Sequence, residues 1–320
     1  MSEAPIAQSA RSTPDAQSEA PNHAQQRLTK KRLSHQDGYV TLASQRLHFV
    51  DYGGEGEPVV ALHGLIQNAH AFDGIGLALV PSVRLLALDL RGRGASDWGP
   101  PDCYRWSYYL SDLRGFFDAL GLSRFALLGT SMGGTLAMLY AMAHPLEVTR
   151  LVMNDTSLST NRAGVVRAAQ RIGRAPAEFA NISEAVAWFL EERDGLDRLD
   201  EETRLAWVSH FLTLGTAGGL RFNCDPVIIR RAALIPPDLG PRVPWSHRWT
   251  VWEQVKRLKM PVLILRGEKS DVVPRQSARR MAAVLPAASW AEVPGAGHAP
   301  TLYEPEAQAA LRKFFGIVGP

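Results

Sequence analysis

The chain has 320 residues, of which 46% are hydrophobic and 21% charged, and a formal net charge of +3. That length suits one large α/β domain with an insertion, whose two-sided core needs neither disulfides nor metal to fold. The small charge and the lack of any Lys/Arg block exclude nucleic acid or an anionic membrane as the main partner. The two cysteines, Cys103 and Cys224, have no metal-ligand spacing and read as buried thiols in a reducing compartment.

Residues 1–36 are rich in Ala, Ser, Gln and Pro and carry no continuous apolar run of the secretory-signal kind. No later stretch approaches the roughly 20 apolar residues of a membrane span. The expectation is a disordered arm on a soluble, cytoplasmic protein without membrane attachment. Residues 38–43 and 46–52 then read as a two-stranded hairpin, broken by Gly53, Gly54 and Gly56. Residues 58–63 (PVVALH) and 83–90 (VRLLALDL) are short apolar runs of the kind buried on both faces of a sheet, with a helical pattern over 69–80 between them. A helix over 104–120, a strand at 125–128, a helix over 135–143 and a strand at 150–153 follow. Beyond position 260 the pattern resumes with strand 262–265, helix 276–284, strand 289–293 and helix 307–315.

Strands alternating with helices predict a mostly parallel sheet covered on both faces. The alternation stops between positions 156 and 255, where Ala185, Trp188 and Phe189, and again Leu205, Val208 and Leu212, fall on single helical faces. Five of the eight tryptophans lie there. The economical organisation is a core built from residues 37–155 and 256–320, interrupted by a helical cap over 156–255.

Chemistry is concentrated in a few loops. Gly129-Thr130-Ser131-Met132-Gly133 follows an apolar strand and opens an apolar helix, which is the context that gives a G-x-S-x-G elbow its meaning. A strand turning sharply into a helix brings two backbones together around the serine, so the flanking positions must lack side chains. The turn lifts the Ser131 hydroxyl above the strand ends and aims the first helical N–H groups at a developing anion. The competing account is a glycine-rich turn whose serine merely caps the helix. His63-Gly64-Leu65 ends another strand facing the elbow, and the backbone N–H groups of Leu65 and Met132 are the expected oxyanion hole. His63 itself is expected to be structural.

His298, in Pro294-Gly295-Ala296-Gly297-His298, sits in a glycine-bearing loop after the last strand, where loops converge on the elbow. Its imidazole suits proton transfer to and from the serine and the leaving group. For the acid that orients it, Asp271 in Arg266-Gly267-Glu268-Lys269-Ser270-Asp271 completes the chain order Ser–Asp–His. Two rivals stand beside it: Glu268, nearer the strand, and Asp155, after the strand at 150–153, a place from which some members of this fold take the acid. The loop Asp89-Leu90-Arg91-Gly92-Arg93-Gly94 does not match a phosphate cradle and reads as a salt-bridged structural turn.

Taken in order, HGLIQN, DLRGRGASD, GTSMGG, VMND, RGEKSDVVP and GAGHAP make the sequence resemble the α/β-hydrolase superfamily, within its bacterial branch of small esterase-like serine hydrolases. The resemblance spans residues 38–315. It implies a mostly parallel eight-stranded sheet flanked by helices, a cap inserted after the sixth strand that roofs the pocket, and the oxyanion-hole role for Leu65 and Met132. The dehalogenases and epoxide hydrolases of the superfamily use an aspartate nucleophile where this chain has Ser131. The carbon–carbon bond hydrolases usually carry Gly-Pro-Gly after the first His-Gly, where this chain reads Leu-Ile-Gln-Asn.

The resulting expectation is a carboxylesterase-type enzyme that cleaves small, largely apolar esters through an acyl-enzyme, with Ser131, Asp271 and His298 catalytic and neither cofactor nor metal. Trp188, Trp207, Phe211 and Trp245 are candidates to line an apolar pocket, or equally to form the core of the cap. Lactone or carbon–carbon hydrolysis, acyl transfer, and ligand binding without turnover remain open, because a fold does not fix a function.

Overall fold

A computed structural model describes residues 34–43, 45–234, 253, 255–256 and 258–317. The arm expected over residues 1–36 therefore falls outside the described residues up to position 33, and Gln36 already belongs to the first strand. In chain order the core begins with β1 (Gln36–Leu42), β2 (Gln45–Asp51) and β3 (Glu57–Leu62). A 3-10 turn at Ala69–Phe72 and α1 (Asp73–Leu79) lead to β4 (Val83–Leu88) and α2 (Trp106–Ala119). Next come β5 (Phe125–Thr130), α3 (Met132–Ala143) and β6 (Val148–Asn154).

The insertion after β6 holds α4 (Arg162–Gly173), α5 (Ile182–Glu192), α6 (Glu201–His210), β7 (Leu212–Leu214), β8 (Leu220–Phe222) and α7 (Pro226–Ala233). The core then closes with β9 (Val262–Gly267), α8 (Arg275–Val284), β10 (Ala288–Val293) and α9 (Pro305–Phe314).

The core strands make one eight-stranded sheet in the order β1-β2-β4-β3-β5-β6-β9-β10. β2 is antiparallel to both β1 and β4, and every other neighbouring pair is parallel. Side chains alternate across a strand, so the uninterrupted apolar runs feed two cores. Val59, Ala61, Leu85, Ala126 and Leu128 pack on one face with Ile75 of α1 and Leu311 of α9. Val60, Leu62, Leu86 and Leu127 pack on the other with Phe116 of α2, Leu136 of α3 and Met281 of α8. This two-sided burial is why the strands read as continuous rather than alternating.

The cap helices are held differently. Asn161, Asn181, Asp200 and Asp225 each accept a backbone N–H of the first turn, so α4 to α7 all start on a side-chain cap. None of the five core helices among the described residues does so; they pack on the sheet. The helical face expected to run through Leu212 is corrected here: α6 stops at His210, and Leu212 opens the β7–β8 hairpin. Gly215, Gly218 and Gly219 permit that reversal, and the Glu178 carboxylate accepts the N–H groups of Ala217 and Gly219 at its tip. Among the described residues no helix is long and apolar enough to cross a membrane.

Candidate active site

β5, β6, β9 and β10 are consecutive in the sheet, and the loops at their C-terminal ends meet. Ser131 is the first residue after β5, with φ 52° and ψ −110°, a backbone conformation that an L-residue holds only when its surroundings impose it. The close approach demanded by the elbow is visible at its glycines. A Cβ on Gly129 would lie 2.3 Å from the Gly133 carbonyl oxygen, and one on Gly133 would lie 2.0 Å from that of Leu62. Ser131 does not cap α3; its side chain makes no cap hydrogen bond. Its hydroxyl instead lies 2.8 Å from His298 Nε2.

The other imidazole nitrogen identifies the carboxylate. His298 Nδ1 is 2.6 Å from Asp155 Oδ2. An ionised carboxylate only accepts, so Nδ1 carries the proton and Nε2 faces the serine as acceptor. Asp155 is completely buried one residue beyond β6, with φ 51°. Burying a carboxylate demands partners, and Asp155 has them. Gly267 N–H donates to Oδ1 at 3.0 Å, and Ser270 Oγ donates to Oδ2 at 2.6 Å.

Asp271 is elsewhere. Its carboxylate accepts from Arg167 Nε of α4 at 3.0 Å and lies 3.9 Å from Arg171. It is partly exposed, and α4 is packed so tightly here that a Cβ on Gly164 would lie 1.9 Å from the Asp271 carbonyl oxygen. The expected pairing of Asp271 with His298 is therefore corrected: the structure brings Ser131, His298 and Asp155 together and turns Asp271 toward the cap. The remaining rival, Glu268, accepts the Gly295 N–H at 2.8 Å and so braces the His298 loop.

Several residues that the sequence did not flag hold this arrangement. Asn154, fully buried, donates to Thr130 Oγ1 and to the Pro300 carbonyl, joining the elbow to the histidine loop. Thr156 Oγ1 donates to the Ser131 carbonyl at 2.8 Å. From the cap, Arg193 donates to the Ala299 carbonyl, and burial pulls its guanidinium down to about 10. A cluster of polar residues at the two strand ends, N-D-T and S-D, is the only sequence signal these contacts had.

Met132 is the first residue of α3, so its N–H is one of those a helix start leaves without an intrahelical partner. Leu65 lies in the loop after β3. His63 is fully buried beside it, with Nε2 accepting from Leu90 N–H at 3.0 Å and Nδ1 donating to the Gly64 carbonyl at 2.7 Å. Burial lowers its pKa to about 4, which keeps the ring neutral.

Trp188, Trp207 and Phe211 belong to an aromatic cluster in the cap. Trp207 meets Phe211 edge-on at 4.6 Å and Phe189 at 5.7 Å, and Trp188 contacts Phe179 and Phe222. Trp207 and Phe211 are fully buried there. Trp245 lies outside the described residues.

One group of potential metal ligands occurs among the described residues: His70, Asp73 and His210 bring ligand atoms within 4.8 Å of one another. The two imidazoles are stacked at 4.5 Å with planes 15° apart. Ring-nitrogen lone pairs lie in the ring plane, so one ion cannot satisfy both rings in this arrangement. Both histidines and the Tyr52 hydroxyl bond the Asp73 carboxylate instead. Burial opposes its ionisation, but the His210 and His70 hydrogen bonds prevail and hold it well below the usual carboxylate range. The cluster ties α6 of the cap to α1 of the core.

The chain belongs to the α/β-hydrolase fold family, whose model matches residues 57–305. A crystal structure of an α/β hydrolase from Novosphingobium aromaticivorans superposes with a TM-score of 0.77 at 32% identity, covering 89% of this chain and 99% of that one. The 3-hydroxybutyrate-oligomer hydrolase of Cupriavidus necator is 27% identical over 278 residues, 84% of this chain and 92% of its own. N-formylmaleamate deformylase of Pseudomonas putida is 33% identical over 122 residues, 38% of this chain and 46% of its own. These relatives carry different named chemistries, so the kinship defines a hydrolase-type enzyme of this fold rather than a particular bond.

Proposed function

We propose that the chain is a serine hydrolase in which Ser131 is the nucleophile, His298 the general base and then acid, and Asp155 the carboxylate that orients it. The observation that carries this reading is the unbroken relay of 2.8 Å from Ser131 Oγ to His298 Nε2 and 2.6 Å from His298 Nδ1 to Asp155 Oδ2. In the reaction His298 Nε2 takes the Ser131 proton as Oγ attacks the substrate carbonyl carbon, and the carbonyl oxygen becomes an oxyanion facing the Leu65 and Met132 amides. Collapse expels the alcohol with the proton from Nε2 and leaves an acyl-enzyme. Water, deprotonated by the same nitrogen, then releases the acid. Asp155 stays ionised throughout and stabilises the imidazolium.

Small carboxylic esters with largely apolar acyl groups are the substrates we favour. The likeness to an enzyme named for 3-hydroxybutyrate oligomers, which are linked by esters, supports that choice. The test is hydrolysis of p-nitrophenyl acetate, butyrate and octanoate, and of a 3-hydroxybutyrate trimer, by wild type and Ser131→Ala. Turnover that the variant loses by at least about 10³-fold supports the reading. Equal, slow rates for both proteins on every ester reject ester cleavage, and lactones, formamides and carbon–carbon substrates become the next assays.

A further inference from the structure

Two arginines in the loop after β4 stand two residues apart and are treated differently. Arg91 is neutralised: its Nε and one terminal nitrogen grip Asp112 at 2.6 and 2.5 Å. Arg93 is only 1% exposed, yet among the described residues it forms no ion pair. Its Nε donates to the Leu65 carbonyl at 3.0 Å, and one terminal nitrogen donates to the Arg91 carbonyl at 2.9 Å and the Tyr109 hydroxyl at 2.5 Å. The other terminal nitrogen reaches Met132 Sδ at 3.8 Å. The rings of Tyr109 and Tyr104 flank the guanidinium at 5.3 and 5.9 Å. Burying a cation without a counter-ion is costly.

Two of the residues this cation bonds, Leu65 in the loop after β3 and Met132 at the start of α3, are the ones whose amides form the proposed oxyanion hole. We propose that Arg93 is a positioning residue for the oxyanion hole, an inference that rests on the serine-hydrolase reading. Its Nε holds the Leu65 carbonyl on one side of the residue, while on the other side His63 Nδ1 holds the Gly64 carbonyl, which shares a planar peptide unit with the Leu65 N–H; together they fix the segment that presents that amide. Its far end fixes the Met132 side chain against the elbow. The charge, which no described carboxylate meets at ion-pair distance, adds positive potential behind the site where the oxyanion forms, a contribution that grows in a water-poor environment.

The experiment compares full-length wild type, Arg93→Met and Arg93→Lys, with Ser131→Ala as reference. It reads kcat and KM for p-nitrophenyl butyrate, the rate of Ser131 labelling by a fluorophosphonate, and the affinity for an alkyl boronic acid that forms a tetrahedral adduct. Arg93→Met is expected to lose about 10- to 100-fold in kcat and in labelling rate with KM within about twofold, and boronate affinity is expected to fall in parallel. Arg93→Lys keeps the charge but cannot span Leu65 and Met132, so its kcat should lie between the two. Should Arg93→Met not fold, Arg93→Lys decides, and wild-type kcat and boronate affinity in it overturn the proposal. A folded Arg93→Met with unchanged kcat, or with a kcat loss that boronate affinity does not follow, overturns it as well. Labelling abolished by Ser131→Ala but unchanged in Arg93→Met ends this inference alone, whereas a wild type that is not labelled ends the serine-hydrolase reading with it.

Discussion

The ends of β6 and β9 lie side by side in the sheet, and each is followed by an aspartate, yet their environments are opposite. Asp155 is fully buried and receives two hydrogen bonds from the β9 loop besides the contact with His298. Asp271 is partly exposed and meets two cap arginines that are themselves a third to a half exposed. A triad carboxylate must hold an imidazole in one tautomer and one orientation, which takes rigid donors in a dry setting. The β9 loop supplies those donors, Gly267 N–H and Ser270 Oγ, while the carboxylate comes from β6. That division of labour between the two strand ends is what seats the Asp155 carboxylate against His298.

The largest test of this contrast is Asp155→Asn, which preserves shape but offers Nδ1 a donor. It should lower kcat by about 10⁴-fold on any substrate the wild type turns over, measured alongside a melting curve that shows the variant folded. A loss smaller than that of Asp271→Asn would move the acid back to the β9 loop.

The end of β3 supplies a third case, a buried histidine with no carboxylate partner. His63 titrates near 4 in the folded chain and near 6.5 when unfolded, so between those values the unfolded chain binds the extra proton and stability falls as pH falls. About 2 kcal/mol should disappear between pH 7 and pH 5. Denaturant titrations at both pH values should show that part of the slope in wild type and not in His63→Gln; equal slopes would show that His63 is not the group responsible.

A smaller change is expected from Ser270→Ala, which strips one donor from Asp155 Oδ2. A hydrogen bond to a charged group is worth roughly 1.5–3 kcal/mol, so kcat should drop by about 10- to 100-fold with little change in KM. Asp271→Asn should do least, with kcat within about threefold and a stability loss under about 1 kcal/mol, since its ion pairs are screened by solvent. An effect on kcat as large as that of Ser270→Ala would show that the pairing of Asp271 with α4 matters to catalysis.

The core strands and helices, the elbow and the histidine loop were legible because apolar runs, glycine placement and a strand-turn-helix context are local properties. The acid was not. Asp155 and Asp271 both fall between Ser131 and His298, so chain order admits either, and both follow a buried strand. What separates them is nonlocal: the Gly267 and Ser270 donors that seat the Asp155 carboxylate, and the packing of α4 against the backbone of Asp271. The small β7–β8 hairpin escaped for a related reason. Leu205, Val208 and Leu212 keep helical spacing straight through the point where α6 ends, and three-residue strands carry too little pattern to compete.

The position of Asp155 at the root of the insertion also bears on how this protein can be recombined. The cap starts directly behind the carboxylate, and Thr156, the next residue, holds the Ser131 carbonyl. A chimera spliced at the end of β6 would exchange Asp155 together with the cap. A graft intended to change specificity should keep residues 154–157 of the host and the 267–270 segment that seats the carboxylate, and import only what lies beyond them.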